Sequence, residues 1–450
     1  MSREAILIYD IGKTNKKCLV FDGNFHVIHE ESKVIDETID EEGDPCDDIQ
    51  AISKWIYSTA EKLIGSDAYV IRAINFSAYG ASLVHIDKSG KAILPLYNYL
   101  KPFSTESEKL LTEKFGSTEK LSQETASPYL GMLNSGLQLF WLKNFQPHRF
   151  SNIHLSLHFP QYLSYLFSQR AVSDYTSIGC HTMLWDFNKQ DYHSWVNSEH
   201  LTEKLAPVTD NTENNTVQLF GKEIKVGTGI HDSSAALLPY LYLNDEPFAL
   251  LSTGTWNISL NPFEEHALSS DDLENDCLMF MSTAGKKVKA SRLFLGNEHA
   301  SQVHMLTANF GRKKDEYKHI GYDAALAKEL RENFKKHFTF SLGGGEAEVS
   351  WETLGSFKAA YHQLMIELCM LQVSSLKRAI GNSNIKTVFI DGGFVDNEIF
   401  INLLQEGLPK LEFIPAQFPV GSALGAALAI ATKDQVENWK KQKTQLTLIS

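Results

Sequence analysis

The chain has 450 residues, 43% of them hydrophobic and 22% charged, with a formal net charge of −13. This length calls for about two domains, since single hydrophobic cores stop growing near ~250–300 residues. The acidic balance excludes a general attraction to nucleic acid or to an anionic membrane surface, yet leaves room for a nucleotide held by local dipoles and a metal. The cysteines, Cys18, Cys46, Cys180, Cys277 and Cys369, are scattered without a Cys-x-x-Cys pair. They read as free thiols of a reducing compartment rather than as a disulfide framework or a zinc site. The first apolar run ends at Asp10, too short for a signal peptide, and no stretch approaches the ~18 apolar residues of a membrane helix. The expected location is the cytoplasm, where the Asn-x-Ser/Thr patterns at Asn214 and Asn257 are chance matches.

In chain order, an apolar strand from Ala5 to Tyr9 runs into Asp10-Ile11-Gly12-Lys13-Thr14-Asn15, a glycine turn bearing hydroxyl and amide groups, and a second strand from Cys18 to Phe21. Such a hairpin presents backbone N–H groups and small polar side chains to a phosphate, with the carboxylate placed for a divalent cation. An ordinary β-turn has the same pattern. After a strand at Val27–Glu31, the acidic stretch Asp36 to Asp48 reads as a loop in which Asp44-Pro45 starts a helix carrying Ile49, Ile52, Ile56, Ala60 and Leu63. Val70–Phe76 and Leu83–Ile86 read as strands around Ser77-Ala78-Tyr79-Gly80; Leu137–Trp141, Pro160–Phe167 and Tyr192–Leu205 read as helices. The first half closes at Val226-Gly227-Thr228-Gly229-Ile230-His231-Asp232, a strand-to-helix junction, and Leu243 to Pro247 reads as a linker. The second half repeats this grammar. Strand Phe248–Ser252, the turn Thr253-Gly254-Thr255 and strand Trp256–Leu260 form another hydroxyl-tipped hairpin. A long helix (Trp351 to Ile380), a buried strand (Thr387–Ile390), the turn Asp391-Gly392-Gly393 and helices at Asn397–Gly407 and Gly421–Thr432 follow. Lys433 to Lys443 reads as a solvated helix face. The pattern predicts a duplicated α/β domain, divided as residues 1–244 and 245–450, with a cleft between the halves for a nucleotide and a small substrate.

Several of these pieces together resemble the FGGY carbohydrate kinases. Asp10-Ile11-Gly12-Lys13-Thr14-Asn15, Gly229-Ile230-His231-Asp232, Ser252-Thr253-Gly254-Thr255-Trp256, Asp391-Gly392-Gly393 and Leu424-Gly425-Ala426-Ala427 occur in that family's order, and Glu42-Gly43-Asp44-Pro45 and Asp174-Tyr175-Thr176 extend the likeness over nearly the whole chain. Among subfamilies the His-Asp pair and the Gly-Thr-Trp turn look most like the rhamnulokinases and L-fuculokinases. The resemblance implies an α/β chain of two actin-like (ribonuclease H-like) domains, the first binding sugar and phosphate and the second nucleotide. The implied activity is ATP-dependent phosphorylation of a ketose, L-rhamnulose or L-fuculose foremost, on a primary hydroxyl. A xylulose, other pentulose or polyol kinase is the alternative within the family. A sugar sensor without turnover, or an actin-like filament or chaperone ATPase, is the alternative outside it.

The resemblance assigns Asp232 as general base, although the same residue could cap the helix beginning at Ser233. Asp10 takes the Mg²⁺ position. Gly12, Lys13, Thr14, Asn15 and Lys17 from one half, with Thr253, Gly254 and Thr255 from the other, take the phosphates of ATP. Gly392, Gly393 and Asn397 take the adenosine side, where missing side chains let the backbone approach the nucleoside. Ser77, Tyr79, Ser82, Tyr129, His231 and Trp256 take the sugar. On the residues alone Lys17 also reads as a solvated strand residue, His231 as structural and Trp256 as core. Arg292 is given no role beyond a phosphate or sugar contact. The assembly is left open, a homodimer included.

The chain departs from the family at several points. Ser77 and Ser82 stand where the rhamnulokinase pattern has acidic residues, and Tyr79 where it has tryptophan. Asn98-Tyr99-Leu100-Lys101 replaces an arginine-bearing segment. Lys13 replaces a threonine, placing an extra cation beside the phosphates, and Gly393-Phe394-Val395-Asp396-Asn397 replaces a third glycine and serine.

Overall fold

The computed structural model describes residues 4–210, 214–341, 346–415, 418 and 420–447. Each half is built on one mixed sheet. In the first, Glu4–Ile11 lies between Lys16–Asp22, to which it pairs antiparallel, and Val70–Ala78, to which it pairs parallel; Val27–Lys33 extends one side, Lys222–Gly227 and Asn214–Leu219 the other. In the second, Phe248–Thr253 has the corresponding place. It pairs antiparallel with Asn257–Asn261 and parallel with Thr387–Gly392, with Lys287–Leu293 and Cys277–Met281 outside the former and Glu412–Pro415 outside the latter. The central five strands keep the same order and directions in both halves, the duplication expected from the paired hairpins, while the outermost strand is added on opposite sides.

The central strand Glu4–Ile11 is apolar at almost every position rather than alternating, because the sheet is covered on both faces. Leu7 and Tyr9 face the helix Ile49–Gly65, where Ile52, Ile56 and Ala60 pack against them. Ile6 and Ile8 face the opposite way. Their cluster runs through Ala235 and Leu238 of the helix Asp232–Leu243 and Leu424 and Ala427 of the helix Gly421–Ile430, and reaches Phe248 and Leu250 of the second sheet. Two helices therefore lie between the two sheets and share one core with both. Their backbones nearly touch: a Cβ on Gly425 would stand 1.8 Å from the Ala235 carbonyl oxygen. Asn75 locks the crossing by donating to the Ala426 carbonyl (2.8 Å) and accepting from the Gly229 N–H (3.1 Å).

Some local expectations are corrected. Pro45 does not start a helix; Pro45–Asp47 pairs with Glu37–Ile39, and the helix begins at Ile49. Asp48 is its cap, accepting from the Gln50 and Ala51 amides, while Asp44 is bound by the Lys101 ammonium and Asp47 turns inward. Tyr192–Leu205 holds only the short helix Ser194–Ser198 and a 3₁₀ turn at Leu201–Lys204. Leu83–Ile86 is a strand, but it pairs with Leu155–His158 in a separate ribbon. That ribbon belongs to an excursion whose own core, around Leu137, Phe140 and Trp195, touches the second half at Met279 and Met281.

Candidate active site

The strands of both halves end at one cavity of about 630 Å³. Its floor is the pair of carboxylates Asp10 and Asp232. Asp10 is the last residue but one of the first strand, which the chain leaves at the tight turn where the Gly12 amide donates to the Asn15 carbonyl (3.0 Å). Its Oδ2 accepts from Ser422 Oγ (2.9 Å), the first turn of the second half's helix Gly421–Ile430. Burial pushes the Asp10 carboxyl up to about 6, against the Ser422 bond and with the help of the nearby Asp232 charge. Ser77, its register partner on the neighbouring strand, stabilises the charged form.

Asp232 is the first residue of Asp232–Leu243 and not its cap; His231, in extended conformation, holds that position. Its Oδ1 accepts only from its own successor, the Ser233 amide at 2.6 Å and hydroxyl at 3.2 Å, and lies 3.2 Å from His231 Nε2. About 34% of the Asp232 side chain is open, and it lines the cavity. Water in that confined space solvates a charge poorly, so burial raises the carboxyl to about 6 while the Ser233 bonds oppose the rise. His231 is the reverse case. Burial, then the Arg292 charge, lowers its pKa to about 3, and its ring is wedged between Cys180 Sγ (3.2 Å) and Phe280. It is a neutral neighbour of Asp232.

Thr14, Asn15, Gly254 and Thr255 are exposed at the rims of the same cavity, the first pair from one half and the second from the other. Thr253 lines it too, but its hydroxyl is already engaged, donating to the Asp391 carbonyl (2.5 Å) and accepting from the Phe394 amide (3.0 Å). It ties the hairpin to the glycine turn. Gly392 is obligatory there: its φ is +90° and a Cβ would stand 1.8 Å from the Thr253 carbonyl oxygen. Lys13 is turned toward Asp47 (2.6 Å) and Glu37 (2.9 Å), and Lys17 toward Glu30 (2.9 Å). Asp47 also receives Lys16 (3.3 Å) and the Tyr79 hydroxyl (2.8 Å), so this buried carboxylate anchors the phosphate-side hairpin from beneath.

Of the residues expected at the sugar, Tyr79, His231 and Trp256 line the cavity, whereas Ser77, Ser82 and Tyr129 are not among its walls. Ser77 and Ser82 are buried behind the turn, and Tyr129 packs on Phe103 in the excursion's core. Gly393 and Asn397 also stand back from the cavity, Asn397 capping Glu398–Gly407 through the Phe400 amide and donating to Tyr361. The walls also include Tyr99 and Leu100 of the departing segment and Arg292, and, marked by no motif, Leu133, His181 and Phe280. Ser422 stands two residues before the Leu424-Gly425-Ala426-Ala427 run, which is its sequence signal.

Two sheets of equal topology around one cleft define an actin-like, two-domain phosphotransferase fold. The sequence agrees: residues 5–238 match the FGGY family of carbohydrate kinases, N-terminal domain, and residues 245–438 match carbohydrate kinase FGGY, C-terminal domain. The chain belongs to the FGGY family of carbohydrate kinases and is an ATP-dependent enzyme of that class. The fold is similar to that of a carbohydrate kinase from Novosphingobium aromaticivorans (TM-score 0.78, 20% identity, covering 98% of this chain and 99% of that one). It is also similar to a ligand-bound xylulose kinase from Lactobacillus acidophilus (0.75, 13%, 99% and 97%) and to Plasmodium falciparum glycerol kinase with ADP (0.71, 14%, 98% and 92%). No curated protein matches the sequence. Among the described residues no helix is long and apolar enough to cross a membrane.

Proposed function

We propose that this kinase transfers the terminal phosphoryl group of ATP to a primary hydroxyl of a 6-deoxy-ketohexose, of the L-rhamnulose or L-fuculose kind, with Asp232 as general base. The observation that carries the reading is Asp232 itself, a carboxylate that lines the interdomain cavity, is raised to about 6 and, among the described residues, meets no Lys or Arg. A base near this value is ionised at neutral pH yet strong enough to take a proton as the hydroxyl attacks. The neutral His231 keeps the carboxylate from being quenched by an adjacent imidazolium. The sugar identity rests on the walls. Ala81, Leu100, Leu133 and Phe280 offer apolar surface where acidic side chains would hold further hydroxyls, and a terminal methyl suits that surface.

In this reading the first half holds the sugar and the second the adenosine. Gly12, Thr14, Asn15, Gly254 and Thr255 present backbone and hydroxyl groups to the phosphates from both sides. Lys17 can leave its exposed partner Glu30 for a phosphate, while Lys13, Thr253, Gly393 and Asn397 shape the loops from behind. Among the described residues no three metal-ligating side chains cluster. That suits Mg²⁺ carried on the phosphates with its own waters and held through Asp10, where it would neutralise phosphate charge. The five buried free cysteines suit a reducing, cytoplasmic setting. The test is ADP release over a panel of 6-deoxy-ketohexoses, pentuloses, glycerol and gluconate, with Asp232→Asn as the comparison. We expect the highest kcat/KM for a 6-deoxy-ketohexose and loss of activity in the variant. A pentulose turned over best would replace the sugar assignment, and a variant matching wild type would remove the base.

A further inference from the structure

Asp47 is not among the walls of the cavity, yet it holds two pieces of chain that are. It ends the strand Pro45–Asp47, directly before the cap of the helix Ile49–Gly65, and its side chain is 5% exposed. Three donors converge on it. Its Oδ2 accepts from Lys13 Nζ (2.6 Å) and from the Tyr79 hydroxyl (2.8 Å), and its Oδ1 from Lys16 Nζ (3.3 Å). The fully buried Lys16 also donates to the Lys13 carbonyl (2.8 Å), so the phosphate-side turn at residues 12–15 is held by both the backbone and the ammonium of Lys13. The Tyr79 ring centre stands 4.9 Å from that of Phe159 and 6.0 Å, edge-on, from that of Tyr99, and Lys13 Nζ lies 5.9 Å from the centre of the Tyr99 ring. Lys13, Tyr79 and Tyr99 all line the cavity. Burial, and then the Asp47 charge, holds the Tyr79 hydroxyl well above the usual phenol range, so it remains a donor. A carboxylate taken out of water needs compensating charge and hydrogen bonds. Lys16 supplies one partner from the interior; Lys13 and the Tyr79 hydroxyl, which complete the set, are both drawn from the cavity walls.

We propose that Asp47 is a positioning residue that refers the sugar wall and the phosphate turn to one point, so that sugar and ATP bind cooperatively. The inference rests on the reading above, with the sugar lying against Tyr79. A sugar packed on that ring restrains it, and with it the Asp47 oxygen that the Tyr79 hydroxyl shares with Lys13. The turn carrying Thr14 and Asn15 then loses freedom before the phosphates arrive, so ATP entering second has less left to order. Asp47 adjoins the start of a helix packed in the core of the first half, which keeps the reference point itself fixed. Linkage makes the effect mutual: ATP must tighten sugar binding by the same factor.

The experiment uses the full chain and a non-hydrolysable ATP analogue with Mg²⁺. Calorimetry gives the analogue's Kd alone and with a saturating amount of whichever panel compound wild type binds most tightly, and the ratio of the two is the readout. Hydrogen exchange of the turn amides at residues 12–15 is followed beside it. In wild type we expect the second ligand to tighten the analogue about tenfold, within the usual span for coupled sites, and to slow exchange in the turn. Tyr79→Phe removes one hydroxyl and leaves the ring; Lys13→Met removes the other donor on the shared oxygen, and Asp47→Asn the charge itself. In each, both ligands should still bind singly, the coupling should fall below about twofold, and exchange in the turn should no longer respond. Glu37→Gln, which takes away only the half-exposed second partner of Lys13, should keep the coupling. Coupling that persists in Tyr79→Phe overturns the proposal, and so does a wild type without any. An equal loss in Glu37→Gln overturns it too, since the cause would then be charge near the turn. If Asp47→Asn does not fold, Tyr79→Phe decides the matter by itself. Coupling carried by glycerol or gluconate and lost in these variants supports the anchor and replaces the ketose assignment. Failure of every panel compound to bind wild type removes the sugar reading and the coupling with it.

Discussion

An ionised Asp232 must shed much of its water to stand where it does, and that loss governs both its basicity and its effect on stability. The acid limb of kcat/KM should fall near pH 6, where the Asp232 and Asp10 carboxyls, both raised to about 6, titrate as a coupled pair. A pH–rate profile checks it, and a limb near 4 would mean the pair is far better solvated than its surroundings imply. Asp232→Asn should lower kcat by about 10²–10⁴. The same substitution should stabilise the fold at neutral pH. With the folded pKa above the unfolded value of about 3.9, the native state binds the extra proton between those values, so stability falls as pH rises through that window and stays low above it. Asparagine removes that penalty. The melting temperature of the variant should exceed wild type at pH 7–8 and converge with it near pH 4. A variant less stable at pH 8 would show that its carboxylate holds the helix start together.

The helix crossing between the sheets positions both carboxylates, because Asp232 opens one helix and Ser422, the partner of Asp10, lies in the first turn of the other. Asn75 is where that crossing is most exposed to mutation. Asn75→Ala removes two hydrogen bonds from this buried crossing, a change that costs about 1–3 kcal/mol, and urea unfolding should lose that much. A loss below 1 kcal/mol would mean that water replaces the amide. Much of this architecture was legible in the sequence, for definite reasons. The apolar runs at Ala5–Tyr9 and Phe248–Ser252 with hydroxyl-bearing turns after them announce doubly covered strands, and Gly-x-His-Asp announces a strand-to-helix junction. Asp44-Pro45 misled because a cap-proline pair also suits an edge hairpin, and Asp48, three residues on, was the better cap. Asn75 and Asp47 left no signal of their roles, since each acts on partners tens to hundreds of residues away. Ser82 and Tyr129 were placed by motif position, which does not tell which way a side chain turns off the backbone.

The two halves meet in a shared core under the cleft and are otherwise tied across it by few groups, among them the Asp10–Ser422 bond at the floor. That construction gives a rigid base with opposed rims. Thr14 and Asn15 on one rim and Gly254 and Thr255 on the other are exposed, so a phosphate chain held by both sets must draw the rims together. Closure would also exclude the water that could otherwise take the phosphoryl group, since a base able to activate a sugar hydroxyl could activate water. It follows that ATP alone should leave the cleft partly open and the enzyme a poor ATPase. With ketose and a non-hydrolysable ATP analogue together, small-angle scattering should give a smaller radius of gyration than with either alone, because each ligand contacts both halves only when the other rim has moved in. If the radius were the same with none, one or both ligands, the halves would form a fixed cleft. Protection of ATP from water would then have to come from the pocket walls themselves, and the free protein should show the same low hydrolysis rate with or without a non-reactive sugar.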